Sequence, residues 1–173
     1  MHPEILSIAL FWFVTAYTPG PNNVVASYSG FNFGITKTIP HILGVTLGFT
    51  SLVIFLTIGL INVFKLFPII QVIIKYLGTI FLIYLAYKIA SSTNSDKTKK
   101  ENPVKFLETF IFQYLNPKGV MVAIIVVSTY VELGENYINY ATQVVFLAFL
   151  FSSTSITLWT FIGKFLRKFA TND

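Results

Sequence analysis

Thr18-Pro19-Gly20-Pro21-Asn22-Asn23 cuts through an apolar stretch that begins at Ile5, reaches Tyr17 and resumes at Val24 to run on to Phe33. Two prolines and a glycine within six positions cannot stay in one unbroken helix. Each interior proline deletes a backbone hydrogen bond and clashes with the preceding turn. The residues on either side are those of a membrane span. In lipid, freed backbone groups persist only where protein or a water-filled cavity satisfies them. A break of this kind therefore marks a polar place inside an apolar surrounding.

The same event recurs downstream. Asn116-Pro117-Lys118-Gly119 interrupts an apolar run from about Val104 to Tyr130. Between and beyond the two broken runs lie three further apolar segments, from about Ile39 to Asn62, Pro68 to Ala90 and Ile138 to Gly163. A helix needs about 20 apolar residues to cross a bilayer, so the pattern predicts five spans. Composition agrees: 54% of the 173 residues are hydrophobic and only 11% are charged, where soluble domains carry roughly 25% charged residues. The chain reads as an all-α integral membrane protein, a helical bundle with broken helices in spans one and four.

Pro19 and Pro117 stand 98 positions apart, and the same shift carries span two onto span five. Paired interruptions at matching places in two halves point to the binding site of a secondary transporter. The expected layout is a 3+3 inverted repeat in a single transmembrane domain over residues 1–173. Its first repeat is 1–91, a cytoplasmic linker covers 92–103, and 104–173 forms an incomplete second repeat. Shifting span three by the same interval reaches about residues 166–188, so the repeat calls for a sixth span past Asp173.

Charge placement predicts orientation. Lys88, Lys97, Lys99, Lys100 and Lys105 crowd the linker, Lys37 lies between spans one and two, and Lys164, Arg167 and Lys168 follow span five. The opposite side carries Lys65, Glu132, Glu135 and, at the N-terminus, Glu4. Lys and Arg accumulate on the cytoplasmic side, which puts the N-terminus outside and the C-terminus in the cytoplasm. Met1-His2-Pro3-Glu4 has no basic n-region and no small-residue cleavage site follows, so the first span is expected to remain in the mature protein.

Several function classes are excluded by inventory. The chain has no cysteine and two histidines, which leaves no thiolate metal site, no disulfide and no metal cage. Paired intramembrane carboxylates for acid–base chemistry are also missing, so the chain is not expected to be an enzyme. The net charge of +5 lies between apolar runs rather than in a basic stripe, which argues against nucleic acid. The expected partners are the lipid bilayer and a small amino-acid-like substrate.

Thr18, Asn22, Asn23, Asn116 and Lys118 are the polar candidates for substrate binding, with Pro19, Gly20, Pro21 and Pro117 holding the backbone open. Half-helix N-termini suit a carboxylate, and freed carbonyls suit an ammonium. Gly44 and Gly48 form a G-x-x-x-G pair in span two, and Gly78 lies in span three. Small residues at this spacing serve close helix packing and permit a homodimer. Glu108 and His41 are candidates for coupling. The competing reading for both is a residue at the membrane interface, with His41 solvated near the start of span two.

Thr18-Pro19-Gly20-Pro21-Asn22 resembles the signature of the LysE/RhtB family of amino-acid exporters. Further matching residues follow in order: Gly44 and Gly48, Lys75-Tyr76-Leu77-Gly78, Tyr84-Leu85-Ala86-Tyr87-Lys88, Phe106, Gln113-Tyr114-Leu115-Asn116-Pro117-Lys118, Trp159, and Gly163 through Arg167. The resemblance covers essentially the whole chain and brings Gln113 into the substrate-binding set. It implies export of amino acids or close derivatives across the bacterial cytoplasmic membrane, coupled to the proton gradient, without ATP or a cofactor. The sequence departs from the family at Phe49, where many relatives carry an acidic residue, and at Ser128-Thr129-Tyr130-Val131, where a Pro-Gln pair is frequent. The sixth span of the family pattern is expected to be missing as well. The alternative is a shortened, non-transporting membrane protein of the same family.

Overall fold

The computed structural model describes residues 1–60, 104–132 and 134–170, together with positions 62, 66–70, 72, 73, 76, 77, 79, 80, 83, 84 and 87. Among the described residues run the α-helices α1 (Ile5–Tyr17), α2 (Pro21–Phe55), α3 (Phe106–Leu115), α4 (Pro117–Tyr130) and α5 (Tyr137–Ala170), with a π-helical turn at Leu56–Leu60. Gly78, Lys75, Lys88 and the predicted linker 92–103 lie outside the described residues.

The first break is narrower than its sequence suggests. Helix resumes at Pro21 rather than Val24, because proline has no N–H to lose at the first helical position and its fixed φ fits there. The second break is a single residue. Asn116 (φ −75°, ψ 104°) separates α3 from α4, and the two helices meet at a bend of 60°.

At about 1.5 Å per residue, the 35 residues of α2 would exceed a hydrocarbon core of roughly 30 Å. They do not run straight. Gly34 leaves the helical region with φ 76° and ψ 177°, a conformation open to glycine and costly for a side chain. The chain doubles back there, so that Asn22 and His41, 19 positions apart, lie within hydrogen-bonding reach of each other at 3.4 Å. The Ser29 and Thr38 hydroxyls pair at 2.8 Å across the reversal, and the Thr38 hydroxyl donates to the Gly34 carbonyl at 2.8 Å. Residues 21–33 and 35–55 are therefore two arms of a helical hairpin.

α5 lies along this hairpin. A Cβ on Gly30 would fall 2.1 Å from the Thr160 carbonyl oxygen, and one on Gly163 would fall 1.9 Å from that of Ser27. Glycine at these crossings lets the backbones approach, as membrane helix packing requires. Ala26, Val45 and Ile156 join both arms to α5 in one small apolar cluster. The larger core gathers Ile8 and Trp12 of α1, Leu52 and Val53 of α2, Val120, Ala123 and Val126 of α4, and Val144 and Ala148 of α5.

Buried polar residues are common, including Asn23, Thr38, His41, Gln113, Asn116, Ser155 and Thr160. Large apolar residues such as Leu6 (82% exposed), Leu107 (62%) and Ile138 (78%) face outward. Polar inside and apolar outside suits a lipid solvent and would be unstable in water. By length and apolarity alone, the stretch Pro21–Gly59, which is folded back on itself at Gly34, and Tyr137–Ala170 suffice to cross a membrane, and α3 with α4 supplies a third span when counted as one bent element.

The N-terminus is anchored. The His2 backbone N–H donates to Gln143 Oε1 at 2.9 Å, and its ring Nε2 donates to the Tyr130 carbonyl at 3.0 Å. Glu4 N–H donates to His2 Nδ1 at 3.0 Å, so both ring nitrogens have partners. Nearby, the Tyr137 hydroxyl donates to the Thr57 carbonyl and ties α5 to the end of α2.

Candidate functional site

The two breaks meet. Gly20, Pro21, Asn22 and Asn23 from the first, and Asn116, Lys118 and Gly119 from the second, line one cavity of about 80 Å³. A single water needs about 10–15 Å³ on this scale, so the space admits several water-sized groups, comparable to a small amino acid.

The α1 end is closed by the protein's own donors. Asn23 Nδ2 donates to the Ala16 and Thr18 carbonyls, each at 2.9 Å, and Ser155 Oγ donates to Ala16 O at 2.7 Å. The Lys118 ammonium reaches across the break to Thr18 O at 3.0 Å, Thr18 Oγ1 at 2.9 Å and Pro19 O at 3.4 Å. Gly20 leaves room for it, since a Cβ there would lie 3.1 Å from Lys118 Nζ. The freed carbonyls expected to receive a substrate ammonium thus already carry internal partners. Two prolines open these carbonyls, and in lipid they must be satisfied even without a ligand.

The restarting helices are the reverse case. Neither Gly20, which caps α2, nor Asn116, which caps α4, makes a side-chain capping bond. Asparagine at this position ordinarily accepts from the first-turn amides, so its failure to do so leaves the N-terminus of α4 without a side-chain cap, as glycine leaves that of α2. Each bears a partial positive charge of roughly half an electron, and Lys118 adds a full one. The acceptor Asn116 Oδ1 is buried with no hydrogen-bond partner.

Asn22 and Gln113 join the two halves. Asn22 Nδ2 donates to Gln113 Oε1 at 2.8 Å, Gln113 Nε2 returns a bond to Asn22 Oδ1 at 3.2 Å and also donates to Thr109 O at 2.8 Å. His41 Nε2 donates to the Asn22 carbonyl at 3.4 Å. The solvated position expected for His41 is wrong: it is 1% exposed, because the face it shares with Gly44 and Gly48 is covered by α3. A Cβ on Gly44 would meet Thr109 Oγ1 at 1.9 Å and Phe106 O at 2.6 Å, and one on Gly48 would meet Phe110 O at 2.7 Å. That glycine face is used inside the chain. Glu108 sits at the start of α3, where its carboxylate accepts from the Lys105 backbone N–H at 3.3 Å. Neither Glu108 nor His41 lines the cavity.

The remaining wall is apolar, formed by Trp12, Val45, Phe49, Val122, Ala148, Phe151 and Ile156, with hydroxyls at Thr15, Ser152 and Ser155. Phe49 stands edge-on to Trp12, with ring centroids 5.5 Å apart and planes at 90°. Sequence reasoning did not single out Trp12 or Ser155. The polar run Ser152 to Ser155 in an otherwise apolar helix was the available signal for the second.

The family model for LysE type translocators matches residues 13–172. The chain belongs to this family. A LysE type translocator is a transport protein and not an enzyme, and the apolar exterior and spanning helices make this member a bacterial membrane protein. It is 30% identical over 171 residues to the cysteine/O-acetylserine efflux protein of Salmonella typhimurium, covering 97% of this chain and 87% of that protein. It is 26% identical over 172 residues to the cysteine/O-acetylserine efflux protein of Escherichia coli K12, at the same coverage. No solved structure gives a significant match.

Proposed function

We propose that this LysE type translocator is a secondary exporter of small zwitterionic amino acids across the bacterial cytoplasmic membrane. The observation that carries this reading is the convergence of both helix breaks on one cavity. Two uncapped helix N-termini and the Lys118 ammonium lie beside an orphan acceptor, Asn116 Oδ1. A carboxylate suits the first group and an ammonium the second. An amino acid presents both, a few bonds apart.

In this reading the five spans are α1 with residues 21–33, residues 35–55 continuing to about 62, about 68–90, α3 with α4, and α5. They belong to a 3+3 inverted repeat with halves at 1–91 and 104–173, a cytoplasmic linker at 92–103 and the N-terminus outside. The hairpin at Gly34 supports it by separating spans one and two. The 60° bend between α3 and α4, like the gap between α1 and α2, supports a broken span in each half. The relatives named for cysteine and O-acetylserine efflux make those two compounds the first candidates. Phe49 in the cavity wall, with no carboxylate there among the described residues, argues against cationic side chains.

The test is counterflow in proteoliposomes of purified protein loaded with O-acetyl-L-serine or L-cysteine. Exchange of labelled substrate that stops when Lys118 and Asn116 are both substituted supports the reading. Absence of exchange for every small amino acid sinks it. An imposed pH gradient, inside relative to outside, then tests proton coupling. If His41→Gln and Glu108→Gln both retain gradient-driven accumulation, neither residue carries the proton.

A further inference from the structure

Two residues of the cavity wall each carry a buried polar atom that internal hydrogen bonding leaves unused, and the two atoms are of opposite kind. Asn116 Oδ1 is an acceptor and Trp12 Nε1 is a donor only. Both residues line the cavity, and they are 4% and 1% exposed. A buried indole N–H almost always finds an acceptor. Here the neighbouring ring is Phe49, which presents no lone pair. Asn116 has a place in the exporter reading as the partner of an ammonium. Trp12 has none, since an ammonium cannot accept its proton and the substrate carboxylate is already taken by Lys118 and the helix N-termini.

We propose that Trp12 reads the substrate's side chain, which makes it a specificity-determining residue of the transporter. Its indole N–H donates to an acceptor atom on the short side chain of a neutral amino acid: a thiol sulfur, a hydroxyl oxygen or an ester oxygen. The substrate's carboxylate lies toward Lys118 and the helix N-termini, and its ammonium toward Asn116. This proposal rests on the exporter reading of the same cavity and narrows it to a substrate class. Side chains of equal length without an acceptor leave the N–H unmade and are handled less well. Rejection of an analogue lacking a hydrogen-bonding group is the stronger form of selectivity available to a buried site. Cationic side chains are disfavoured by the Lys118 charge and the N–H together.

The pair that tests this is O-acetyl-L-serine against L-norleucine, whose side chain has the same length without an acceptor. In wild-type proteoliposomes the half-saturation concentration for O-acetyl-L-serine is expected to be roughly tenfold lower than for L-norleucine, the scale of one net hydrogen bond. Trp12→Phe removes the N–H and keeps a ring against Phe49. It is expected to lower exchange of both compounds but to bring their ratio near one. A second measurement needs no change at Trp12. In a Trp159→Phe background Trp12 is the remaining one of two tryptophans, and its ultraviolet resonance Raman N–H marker should shift with O-acetyl-L-serine and stay put with L-norleucine. Equal wild-type handling of the two, an undiminished ratio in Trp12→Phe, or a Raman marker unmoved by saturating O-acetyl-L-serine overturns the role of Trp12 while export stands. If no amino acid exchanges at all, the exporter reading itself falls, and this inference with it.

Discussion

Asn22 and Gln113, 91 positions apart, exchange two side-chain hydrogen bonds of 2.8 Å and 3.2 Å. Each amide gives one donor and one acceptor to the other, so the first turn of α2 is fastened to the last turn of α3. The bond spans the two halves of the chain and lies in the cavity wall. Interhelical side-chain bonds in membranes contribute about 0.6 kcal/mol on average and up to about 1.7. Asn22→Ala and Gln113→Ala should each lower thermal stability in detergent by about 1 kcal/mol. The double variant should cost little more than either single one, because each loses the same pair. Additive losses in a double-mutant cycle would show that the two amides act independently.

Gly44 and Gly119 make a matched pair for testing backbone approach. A methyl group on Gly44 would lie 1.9 Å from Thr109 Oγ1 and 2.6 Å from the Phe106 carbonyl oxygen. The hydroxyl can turn away, but the carbonyl belongs to the helix. On Gly119 the nearest atoms, Asn116 Nδ2 and the Phe49 ring, are 3.5 Å away, which is ordinary contact. Gly44→Ala should destabilise the protein by about 1–3 kcal/mol, the usual cost of overpacking. Gly119→Ala should leave the melting temperature within error and act on substrate affinity alone, by narrowing the cavity.

These contacts divide what sequence could say from what it could not. The two breaks were legible because proline and glycine dictate backbone geometry locally, whatever surrounds them. Gly34 falls in the interval left between Phe33 and Ile39, where a turn was implied. Pairings were not legible. Nothing in residues 18–23 states that Asn23 will close the carbonyls of Ala16 and Thr18 while Asn22 turns to Gln113. Trp12 was hidden for another reason: in an apolar helix of a membrane protein, a tryptophan facing lipid and one facing a cavity read alike. His41 was misplaced because proximity to a span's end suggests water, while Gly44 and Gly48, three and seven positions on, bring α3 over it. His2 was passed over because chain ends usually fray, yet it is buried between Gln143, Tyr130 and the ring of Tyr140.

Lys118 binds the first break across 100 positions. Its ammonium makes charge-assisted bonds to Thr18 O and Oγ1 that are open to the cavity, and such bonds are stronger than those between neutral groups. In the exporter reading a substrate carboxylate draws on the same charge. Lys118→Met should therefore raise the half-saturation concentration for counterflow by roughly 10- to 100-fold. Lys118→Arg keeps the charge but brings a planar fork to a place shaped by Gly20, so it should restore only part of the affinity. If Lys118→Met leaves the half-saturation concentration unchanged while exchange continues, Lys118 serves the break and not the substrate.

The absence of cysteine makes the proposed orientation directly measurable, since any introduced thiol is the sole target for a maleimide. In the proposed orientation, read from the positive-inside pattern, Glu132 and Glu135 lie outside and the lysine-rich stretch from Lys97 to Lys100 lies in the cytoplasm. Glu135 is exposed in the turn between α4 and α5, so a thiol there is accessible from whichever side the turn faces. In intact cells Glu135→Cys should react with a membrane-impermeant maleimide without permeabilisation. Ser95→Cys should react only after the membrane is opened. Because α4 ends at Tyr130 and α5 begins at Tyr137, the first result also fixes the direction in which both helices cross. Protection of Glu135→Cys together with labelling of Ser95→Cys in intact cells would invert the orientation. The uncapped N-termini of α2 and α4 would keep their place in the cavity, but the side from which substrate reaches them would have to be reassigned.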